Sequence, residues 1–382
     1  MEDHETMTSR ERIMAAINGQ PVDRLPIAPY FWGAEYAWKL TGKPLWEIMH
    51  GEGDMGMAIL EAVDERHECD WLLPTHGSSG ALIGKTYASE DISHVYFTDG
   101  KTGEEFVFHK EGHWLLPKSE VGKARGNNKG TGVEPPLTKA AADEWLKKTH
   151  PNLDKEPAPH IPNRKMRERF PDRFLIGCML PPFADLAYTL GFEPTLILLH
   201  ENPSLCAYMI EKRLARTANQ CKNMLADGFD AGLMVDSFAS TDIMSPKTYT
   251  DWVAPLHKLV SDELHNVGMK SVLYNTGNIL PLLDSIGPMG YDIITLEERI
   301  KGVEMPIGEV RSKLGPDTCI FGNFDSYLLQ TGDREAIAAE VRRQIKEAGP
   351  RAFGMGTGSP VCDATDPDVM DFWIKEVQQA TV

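Results

Sequence analysis

Basic residues and long apolar runs are scarce in this sequence. Lysine and arginine number 39 against 56 aspartate and glutamate residues, which gives a formal net charge of −17. Such a surface repels phosphate backbones and anionic headgroups, so we expect neither nucleic acid nor membrane as a partner. No apolar run approaches the ~20 residues that a bilayer-crossing helix needs. The sequence therefore predicts no membrane-spanning helix.

Paired cysteines are missing as well. The six cysteines, at positions 69, 178, 206, 221, 319 and 362, form no CxxC pair. The amino-terminal stretch MEDHETMTSRERI is charged and lacks the apolar core of a signal peptide. In a chain of this size without a secretion signal, we expect reduced thiols rather than a disulfide framework. The sequence thus predicts a cytoplasmic protein.

Several catalytic motifs are absent too. No Gly-rich phosphate turn follows an early strand, which argues against a doubly wound nucleotide-binding sheet. The chain contains no P-loop, no HExxH and no nucleophilic serine elbow. What remains is a chain of 382 residues, 42% hydrophobic and 25% charged, which is the composition of an ordinary globular protein.

Eight short apolar runs recur along the chain, and helical patterns separate most of them. The runs are continuous rather than alternating, which is typical of parallel strands covered by helices. They are LPIAPYF (25–31), CDWLLP (69–74), RFLIGCML (173–180), DAGLMVD (230–236), KSVLYN (270–275), YDIITLE (291–297), TCIFGN (318–323) and RAFGMG (351–356). Eight runs predict an α/β fold, the (β/α)8 TIM barrel, as a single domain over residues 1–382.

One stretch interrupts this rhythm in the amino-terminal half. Residues 83–117 read as an antiparallel β meander with turns at Asp99-Gly100 and Thr102-Gly103. The following residues, up to 136, are rich in Gly, Lys and Asn, and we expect them to be mobile. We interpret 83–136 as one insertion over the mouth of the barrel.

The carboxyl ends of the strands are where catalytic groups of such barrels lie. This rule selects a mixture of aromatic side chains, carboxylates and amides with one histidine, which suits a small and largely apolar substrate. The candidate catalytic residues are Asp70, His76, Asp236, Tyr274, Asn275 and Glu297, with Glu298 beside the last. The candidate substrate-binding residues are Tyr30, Trp32, Met179, Phe183, Phe238 and Asn323.

Each candidate also has a structural alternative. A carboxylate at a strand end can cap the next helix instead of taking part in catalysis. Phe183 and Phe238 can be ordinary core residues, and His76 in PTHGSSG can be a turn residue. His257, in the middle of a helical pattern, is expected to be structural. The functional interpretation rests on the convergence of several strand ends.

Five blocks of sequence resemble one family in the same order. They are SRERIMAAINGQPVDRLPIAP, PPFADLAYTLGFEPTLILLHENPSLCAYMIEK, GFDAGLMVDSFASTDIMSPKTYTDWVAPLHKLV, LYNTGNILPLLDSIGPMGYDIITLE and FGNFDSYLLQTGDREAIAAEVRRQI. These blocks resemble the uroporphyrinogen decarboxylase superfamily, which includes corrinoid-dependent methyltransferases. The resemblance implies a (β/α)8 barrel, but one fold hosts many reactions.

Departures from the family pattern narrow the reaction. The thiol-methylating members carry His-x-Cys-Gly-Asn and a later Gly-Cys that hold zinc. This chain has Tyr274 and Thr276 at the first two ligand positions, and the third falls near Ser359. A hydroxyl is a poor zinc ligand beside thiolate or imidazole, and the lone Cys362 does not rebuild the set. We therefore expect no metal site, and no zinc, at these positions.

The decarboxylases carry arginines in the loop after the first strand, and these hold a porphyrinogen with many carboxylates. Here that loop reads PYFWGAEYAWKL, with aromatic residues and Glu35 instead. Asp70 matches the decarboxylases' strand-two aspartate, which holds the pyrrole nitrogens. Without cations, a polycarboxylate is badly matched to an acidic protein.

The branch that remains resembles the methyltransferases of corrinoid O-demethylases. The resemblance implies transfer of a methyl group between a methyl ether, often aromatic, and the corrinoid (cobalamin) of a separate partner protein. Tyr274 and Asn275 can donate hydrogen bonds to the departing phenolate-like oxygen, with Asp236, Asp70 or Glu297 orienting them or carrying the proton. Two alternatives stay open: a decarboxylase of a small aromatic or tetrapyrrole acid, and a non-catalytic barrel that binds a small aromatic or a corrinoid.

Overall fold

The computed structural model describes residues 6–31, 36–52, 55–74, 80–111, 114–122, 136–149, 164–298 and 302–380. Within them the chain forms two sheets. The strands are β1 (Trp71–Leu72), β2 (Lys85–Glu90), β3 (His94–Asp99), β4 (Glu105–His109), β5 (Leu115–Pro117), β6 (Phe174–Met179), β7 (Ala231–Asp236), β8 (Lys270–Asn275), β9 (Ile293–Thr295), β10 (Ile320–Phe321) and β11 (Phe353–Gly354).

The larger sheet has seven strands in the order β1-β6-β7-β8-β9-β10-β11, and every pair of neighbours is parallel. Each strand lies inside an apolar run that the sequence marked. The longest register joins Ala231–Asp236 of β7 to Lys270–Asn275 of β8. Because all strands run the same way, their carboxyl ends meet at one edge of the sheet.

The first apolar run, residues 25–31, forms no strand of this sheet. It makes an isolated parallel bridge between Ile27 and Met355, next to β11. On its other side, the backbone N–H of Asp70 donates to the carbonyl of Ile27, 2.7 Å away. The expected count of eight strands is therefore corrected to seven in the described chain, because this run is bonded at only a few residues. The run nevertheless lies between the two outermost strands.

Helices follow most of the strands, as a parallel sheet requires. They are α1 (Ser9–Ile17), α2 (Ala37–Thr41), α3 (Leu45–His50), α4 (Met55–Arg66), α5 (Lys139–Thr149), α6 (Arg164–Arg169), α7 (Pro182–Leu190), α8 (Phe192–Glu201), α9 (Pro203–Glu211), α10 (Leu214–Ala226), α11 (Pro246–Thr248), α12 (Ala254–Asn266), α13 (Leu283–Ile286), α14 (Ile307–Leu314), α15 (Ser326–Thr331), α16 (Arg334–Ala348) and α17 (Pro367–Gln379). A π-helical turn, Tyr249–Val253, leads into α12.

Helix α16 shows how local sequence sets such an element. The Asp333 side chain caps its amino end by accepting a hydrogen bond from the N–H of Ala336 at 3.0 Å. Ile337, Val341 and Ala348 are buried at spacings of four and seven residues, which place them on one face of the helix. That face covers the sheet, and the charged residues between them remain at the surface.

Two apolar layers hold the sheet in place. The inner layer packs side chains from successive strands against each other, and it includes Tyr30, Trp71 and Tyr274. The outer layer lies between strands and helices and includes residues such as Met179 and Leu264. Successive residues of β6 alternate between the layers, since Phe174 and Ile176 belong to the inner one. This alternation decides which candidates can face the inner side of the sheet.

The smaller sheet confirms the predicted meander. Strands β2, β3, β4 and β5 are antiparallel in chain order. Its apolar face, which includes Val95, Phe97 and Phe108, packs against Leu45 and Trp46 of α3. The expectation that the insertion covers the barrel mouth stays a prediction, and residues 123–135 lie outside the described chain.

No helix in the described ranges combines the length and the apolar character needed to cross a bilayer.

Candidate active site at the carboxyl ends of the strands

The aromatic floor of the site comes from the inner layer. The Tyr274 ring, at the end of β8, lies 4.9 Å from the Tyr30 ring between centroids. Its hydroxyl donates to the carbonyl of Gly358 at 2.7 Å, and the Tyr30 hydroxyl donates to Thr295 Oγ1 at 2.8 Å. Burial raises the pKa of both phenols, so each stays neutral. Both hydroxyl protons are therefore used inside the protein.

Asn275 is fully buried beside this floor. Its Nδ2 donates to the carbonyl of Ala239 at 2.8 Å, which ties β8 to the loop after β7. Its Oδ1 is buried and has no hydrogen-bond partner in the described chain. A buried unpaired oxygen is uncommon in proteins and is typical of functional sites. The amide can accept a hydrogen bond more readily than it can donate one.

Asp236 ends β7 in a fully buried hydrogen-bonded chain. Its Oδ1 accepts from the N–H of Phe238 at 2.7 Å, and its Oδ2 lies 2.9 Å from Nε2 of His257. His257 in turn lies 3.2 Å from the hydroxyl of Tyr249 in the π-helical turn. This arrangement matches the structural alternative for both Asp236 and His257, because it fixes the turn that carries Phe238.

Glu297 holds the loop after β8. Its Oε2 accepts from the backbone N–H of Gly277. Gly277 has φ +84°, and a Cβ at this position would overlap the side chains of Ser240 and Asp242. Only glycine fits this left-handed position with the neighbouring loop so close. Glu297 therefore shapes the edge through the backbone of the loop.

Glu298 is a buried carboxyl with a raised pKa at this edge. It is 3% exposed, and its Oε1 accepts from Ser326 Oγ at 3.1 Å and from Ser359 Oγ. Desolvation by burial raises its pKa from the ordinary 4.5 to about 7, and the nearby Asp325 also raises it. The two serine hydroxyls lower the pKa without reversing the shift. At neutral pH this carboxyl can carry a proton and release it.

The sequence marked Glu298 only as a neighbour of Glu297. The available signal was the pair of consecutive carboxylates at the end of an apolar run. The buried one, Glu298, is bonded to Ser326, at the start of α15, and to Ser359, in the loop after β11, and these serines lie 28 and 61 residues away in sequence.

The predicted substrate-binding residues divide between the two layers. Phe238 is half-buried and stacks on Phe192 with centroids 4.9 Å apart. On the same side, Tyr188 meets Phe238 edge-on and is 59% exposed. Met179 and Phe183 instead pack in the outer layer against the helices. The structure therefore favours Phe238 as a wall of the site and core roles for the other two.

Asn323 bridges neighbouring loops rather than pointing to an open space. Its Nδ2 donates to the carbonyl oxygens of Glu297, at 3.0 Å, and Met305, at 2.9 Å. It supports the segment that carries Glu297 and Glu298. Trp32 and His76, the remaining candidates, lie outside the described residues.

Asp70 requires a correction. It precedes β1, so it lies at the amino edge of the sheet and not at the carboxyl edge expected of a catalytic residue. Its carboxylate is fully buried, 2.6 Å from Arg12 Nη1 and 2.7 Å from Arg24 Nη1, and it accepts from the N–H of Ile27. These contacts join α1 and the first apolar run to β1. Asp70 is a structural residue.

The three positions at which the sequence resemblance implies zinc ligands carry hydroxyls. The Tyr274 and Ser359 side chains bond to Gly358 and Glu298, and these contacts are typical of hydrogen-bond donors. In the described ranges, no group of three or more His, Cys, Asp and Glu side chains is placed to hold a metal ion. The donor set present at Tyr274, Thr276 and Ser359 does not fit zinc.

Charge at this edge has one sign. Among the described residues within four positions after each of the seven strands, none is Lys or Arg; Arg299 and Lys301 lie outside the described chain. The same positions hold three carboxylates, at Glu297, Glu298 and Asp325, and Asp236 is the last residue of β7. A separate apolar crevice between β1 and α4, of about 10 Å³, has room for little more than a water molecule.

Comparison with known proteins places this geometry in a family. Residues 128–380 match the model for "Uroporphyrinogen decarboxylase (URO-D)". A uroporphyrinogen decarboxylase of Trichodesmium erythraeum is 26% identical over 66% of this chain and 71% of its own length. The decarboxylase of Myxococcus xanthus is 27% identical over 54% of this chain and 58% of its own.

A methyltransferase also appears among the relatives. A methylated-thiol–coenzyme M methyltransferase of Methanosarcina mazei is 22% identical over 52% of this chain and 53% of its own length. The solved structure of a methyltransferase from Methanosarcina mazei covers 97% of this chain and 98% of its own, with a TM-score of 0.66 at 16% identity. This likeness shows the same α/β fold along almost the whole length. With the family model matched over most of its residues, the chain belongs to the uroporphyrinogen decarboxylase (URO-D) family.

Proposed function

We propose that this protein is a methyltransferase that moves a methyl group between a methyl ether, preferably aromatic, and the corrinoid of a partner protein. The names of a sequence relative and of a structural neighbour in this family support methyl transfer as the reaction type. The choice of an oxygen substrate rests on the residues of this chain. The corrinoid, in its reduced form, supplies the nucleophile that accepts the methyl group.

The sign of charge at the carboxyl edge is the observation that carries the proposal. Three carboxylates and no described Lys or Arg follow the seven strands within four residues, and a fourth carboxylate, Asp236, ends β7. A porphyrinogen with many carboxylates needs cations, because like charges at close range cost several kcal/mol. An uncharged aromatic ether carries no such penalty. It finds aromatic surface at Phe238 and Phe192.

We take the full (β/α)8 barrel as the framework of the site. Seven strands are present, and the run around Ile27 occupies the place between β11 and β1. In that framework the carboxyl ends of the strands surround one opening, where a docked partner can approach.

The hydroxyl positions favour an oxygen substrate over a thiol. A thiol acceptor must lose a proton to become a thiolate, and zinc serves that purpose in proteins. An ether oxygen must instead gain a proton or a hydrogen bond when its bond to the methyl group breaks. A phenol has a pKa of ~10, so its anion leaves with modest help. Neutral hydroxyl and carboxyl groups supply such help, and no step here uses zinc.

The test compares substrates on the purified protein. Methoxybenzene and 2-methoxyphenol are mixed with the protein and chemically reduced cobalamin, and the visible spectrum of the cobalt is followed. A spectral change that requires both ether and protein supports the proposal. Release of carbon dioxide from a porphyrinogen polyacid, with no spectral change from any ether, would overturn it.

A pair of variants tests where the substrate binds. Phe238→Ala removes the half-buried ring that stacks on Phe192, so we expect KM for the ether to rise by about tenfold, as for one lost aromatic contact. Ile92→Ala, in the meander, removes an apolar side chain that is 95% exposed, and serves as the control. Equal KM values for the two variants would remove Phe238 from the site.

Decarboxylation of a small aromatic acid is the second candidate. Its support is the name of the family model and of relatives that are 26% to 28% identical. A buried neutral acid could protonate the carbanion that carbon dioxide leaves behind. Carbon dioxide release without any corrinoid would favour this candidate over methyl transfer.

A further inference from the structure

A buried carboxyl at this edge is connected to the half-exposed surface by one hydroxyl. Glu298 is 3% exposed, while Ser359, bonded to its Oε1, is half-buried at the edge. We infer that Glu298 is the proton reservoir of the reaction and that Ser359 passes its proton to the departing oxygen of the substrate. This inference rests on the proposed function and deepens it.

The hydrogen-bond count at Glu298 defines the relay. Ser326 and Ser359 both reach Oε1, and their own hydroxyls lie 2.7 Å apart. Three oxygen–oxygen contacts join Glu298 Oε1 and the two serines, but the serines have only two hydroxyl protons between them. At any time, therefore, one of the three contacts has no serine proton to form its hydrogen bond. When Glu298 is neutral with its proton on Oε1, that proton points to Ser359, whose hydroxyl proton is then free to point to a bound molecule. Ser326 holds the pair in place from behind.

The second carboxyl oxygen of Glu298 is one reason why the neutral form is favoured. Oε2 is buried and has no hydrogen-bond partner in the described chain. An ionised carboxylate with one oxygen unpaired loses far more solvation than a neutral carboxyl does. Gly358 lies against Oε2 and against the Glu298 backbone, so closely that a Cβ would overlap both. The strap formed by Gly358 and Ser359 therefore fits only a chain without a side chain at 358.

Tyr274 holds that strap from below. Its hydroxyl donates to the carbonyl of Gly358 at 2.7 Å. Gly358 also donates its N–H to the carbonyl of Phe324, at 2.9 Å, in the loop after β10. These two bonds set where Ser359 lies relative to Glu298. Tyr274 acts as a positioning residue in this account rather than as the proton donor.

The charge that shifts Glu298 favours its neutral form. Asp325 approaches from the loop after β10 and raises the pKa of Glu298. Glu297 precedes Glu298 in the same loop, and neutral Tyr274 lies on β8. The described chain forms no ion pair to Glu298. Together with burial, this environment puts the pKa at about 7, where a proton is both held and released near neutral pH.

The step balances as follows in the demethylation direction. The bond between the methyl carbon and the ether oxygen breaks, and its electron pair stays on the oxygen. The methyl group goes to the nucleophile that the partner's reduced corrinoid supplies. The Ser359 hydroxyl proton moves to the phenolate oxygen, and the Glu298 proton moves to Ser359 Oγ. The products are a phenol and an ionised Glu298, which regains a proton from solvent.

The experiment compares Glu298→Gln, Ser359→Ala and Ser326→Ala with the unaltered chain, using methoxybenzene and its 4-nitro derivative. General acid catalysis is worth ~10²–10⁴ in rate, so Glu298→Gln and Ser359→Ala should slow methoxybenzene by that factor. The nitro derivative, whose phenolate needs less help, should slow less than about tenfold. Ser326→Ala keeps the relay and should lose less than either of the other two.

Two readouts separate this role from a structural one. The rate with methoxybenzene should fall above pH about 7 in the unaltered chain, and it should lose this fall in Glu298→Gln. Infrared spectroscopy should show a neutral carboxyl band that disappears between pH 6 and 8, persists in Ser359→Ala and is absent in Glu298→Gln.

Failure of the relay and failure of the proposed function give different results. Methyl transfer with the same pH profile in Glu298→Gln and the unaltered chain overturns the relay and leaves the proposed function standing. Absence of methyl transfer from every ether overturns both. Equal losses for methoxybenzene and its nitro derivative would also overturn the relay, because a proton donor matters less to the better leaving group.

Discussion

The raised pKa of Glu298 predicts how stability depends on pH. A carboxyl with an ordinary pKa of 4.5 in the unfolded chain and about 7 in the folded chain binds its proton more tightly when folded. Its contribution to stability is then fully present below pH 4.5, and it is lost as the pH rises through 7. Above that pH, Glu298 is ionised in the folded chain, and the buried charge lowers the free energy of unfolding by its full amount.

The magnitude follows from the two values. Their difference is about 2.5 pH units, and each unit is worth 1.36 kcal/mol, so the free energy of unfolding should fall by about 3 kcal/mol between pH 4.5 and pH 8 through this residue alone. The conversion applies because Glu298 is 3% exposed, where solvent screening is weak. Glutamine has nearly the same shape and stays neutral throughout. Glu298→Gln should therefore gain about 3 kcal/mol relative to the unaltered chain across this range.

The assay is urea unfolding at a series of pH values from 4.5 to 8.5. The difference between variant and unaltered chain cancels the titration of all other groups. Glu211→Gln, at an exposed position on α9, controls for the loss of one carboxylate from an acidic protein. A difference curve for Glu298→Gln that is flat with pH, or that matches the Glu211→Gln curve, would refute the assignment of a raised pKa to this residue.

Three further substitutions test individual contacts. Asp70→Ala removes a buried carboxylate that Arg12 shares with Asp23 and that also pairs with Arg24, so it should cost about 3–5 kcal/mol of stability in urea unfolding; a loss below ~1 kcal/mol would show that the network is dispensable. Gly277→Ala should destabilise the protein more than Gly315→Ala in thermal unfolding. The φ angles of the two glycines are alike, +84° and +85°, but only at position 277 would the new Cβ overlap neighbouring side chains; equal losses would mean that the loop moves freely. Tyr274→Phe should slow methoxybenzene more than its nitro derivative, since it frees the Gly358–Ser359 strap, and equal slowing would reduce Tyr274 to a packing residue.

The strands were predictable because their pattern is local. Seven of the eight apolar runs contain strands of the parallel sheet, and the meander lies where turn residues placed it. The remaining run, residues 25–31, makes an isolated bridge to Met355 and a backbone hydrogen bond with Asp70 instead of a continuous ladder. A local apolar pattern predicts that a segment is buried, but it does not predict how many backbone hydrogen bonds the segment makes to neighbouring strands.

The candidate site was less predictable, because its assignments depend on distant partners. Asp70 flanks an apolar run, and a flanking carboxylate looks the same at either end of a strand. The structural role of Asp70 became clear only from its partners Arg12 and Arg24, which lie 58 and 46 residues away in sequence. Met179 and Phe183 were chosen by proximity to a strand end, but the alternation of β6 sends Met179 to the helices. Asp236 and Asn275 lie where expected, and their catalytic roles remain predictions.

The chemistry at the carboxyl edge follows from what hydroxyls and neutral carboxyls can do. Tyr274, Thr276 and Ser359 stand at positions where the sequence resemblance implies metal ligands, and a hydroxyl binds zinc poorly but passes protons well. Glu298 supplies a proton to such hydroxyls at neutral pH, since burial has raised its pKa to about 7. An edge built this way favours a leaving atom that must gain a proton over an acceptor that must lose one. Oxygen in an ether is such an atom, and this preference is the chemical basis of the proposed action on methyl ethers.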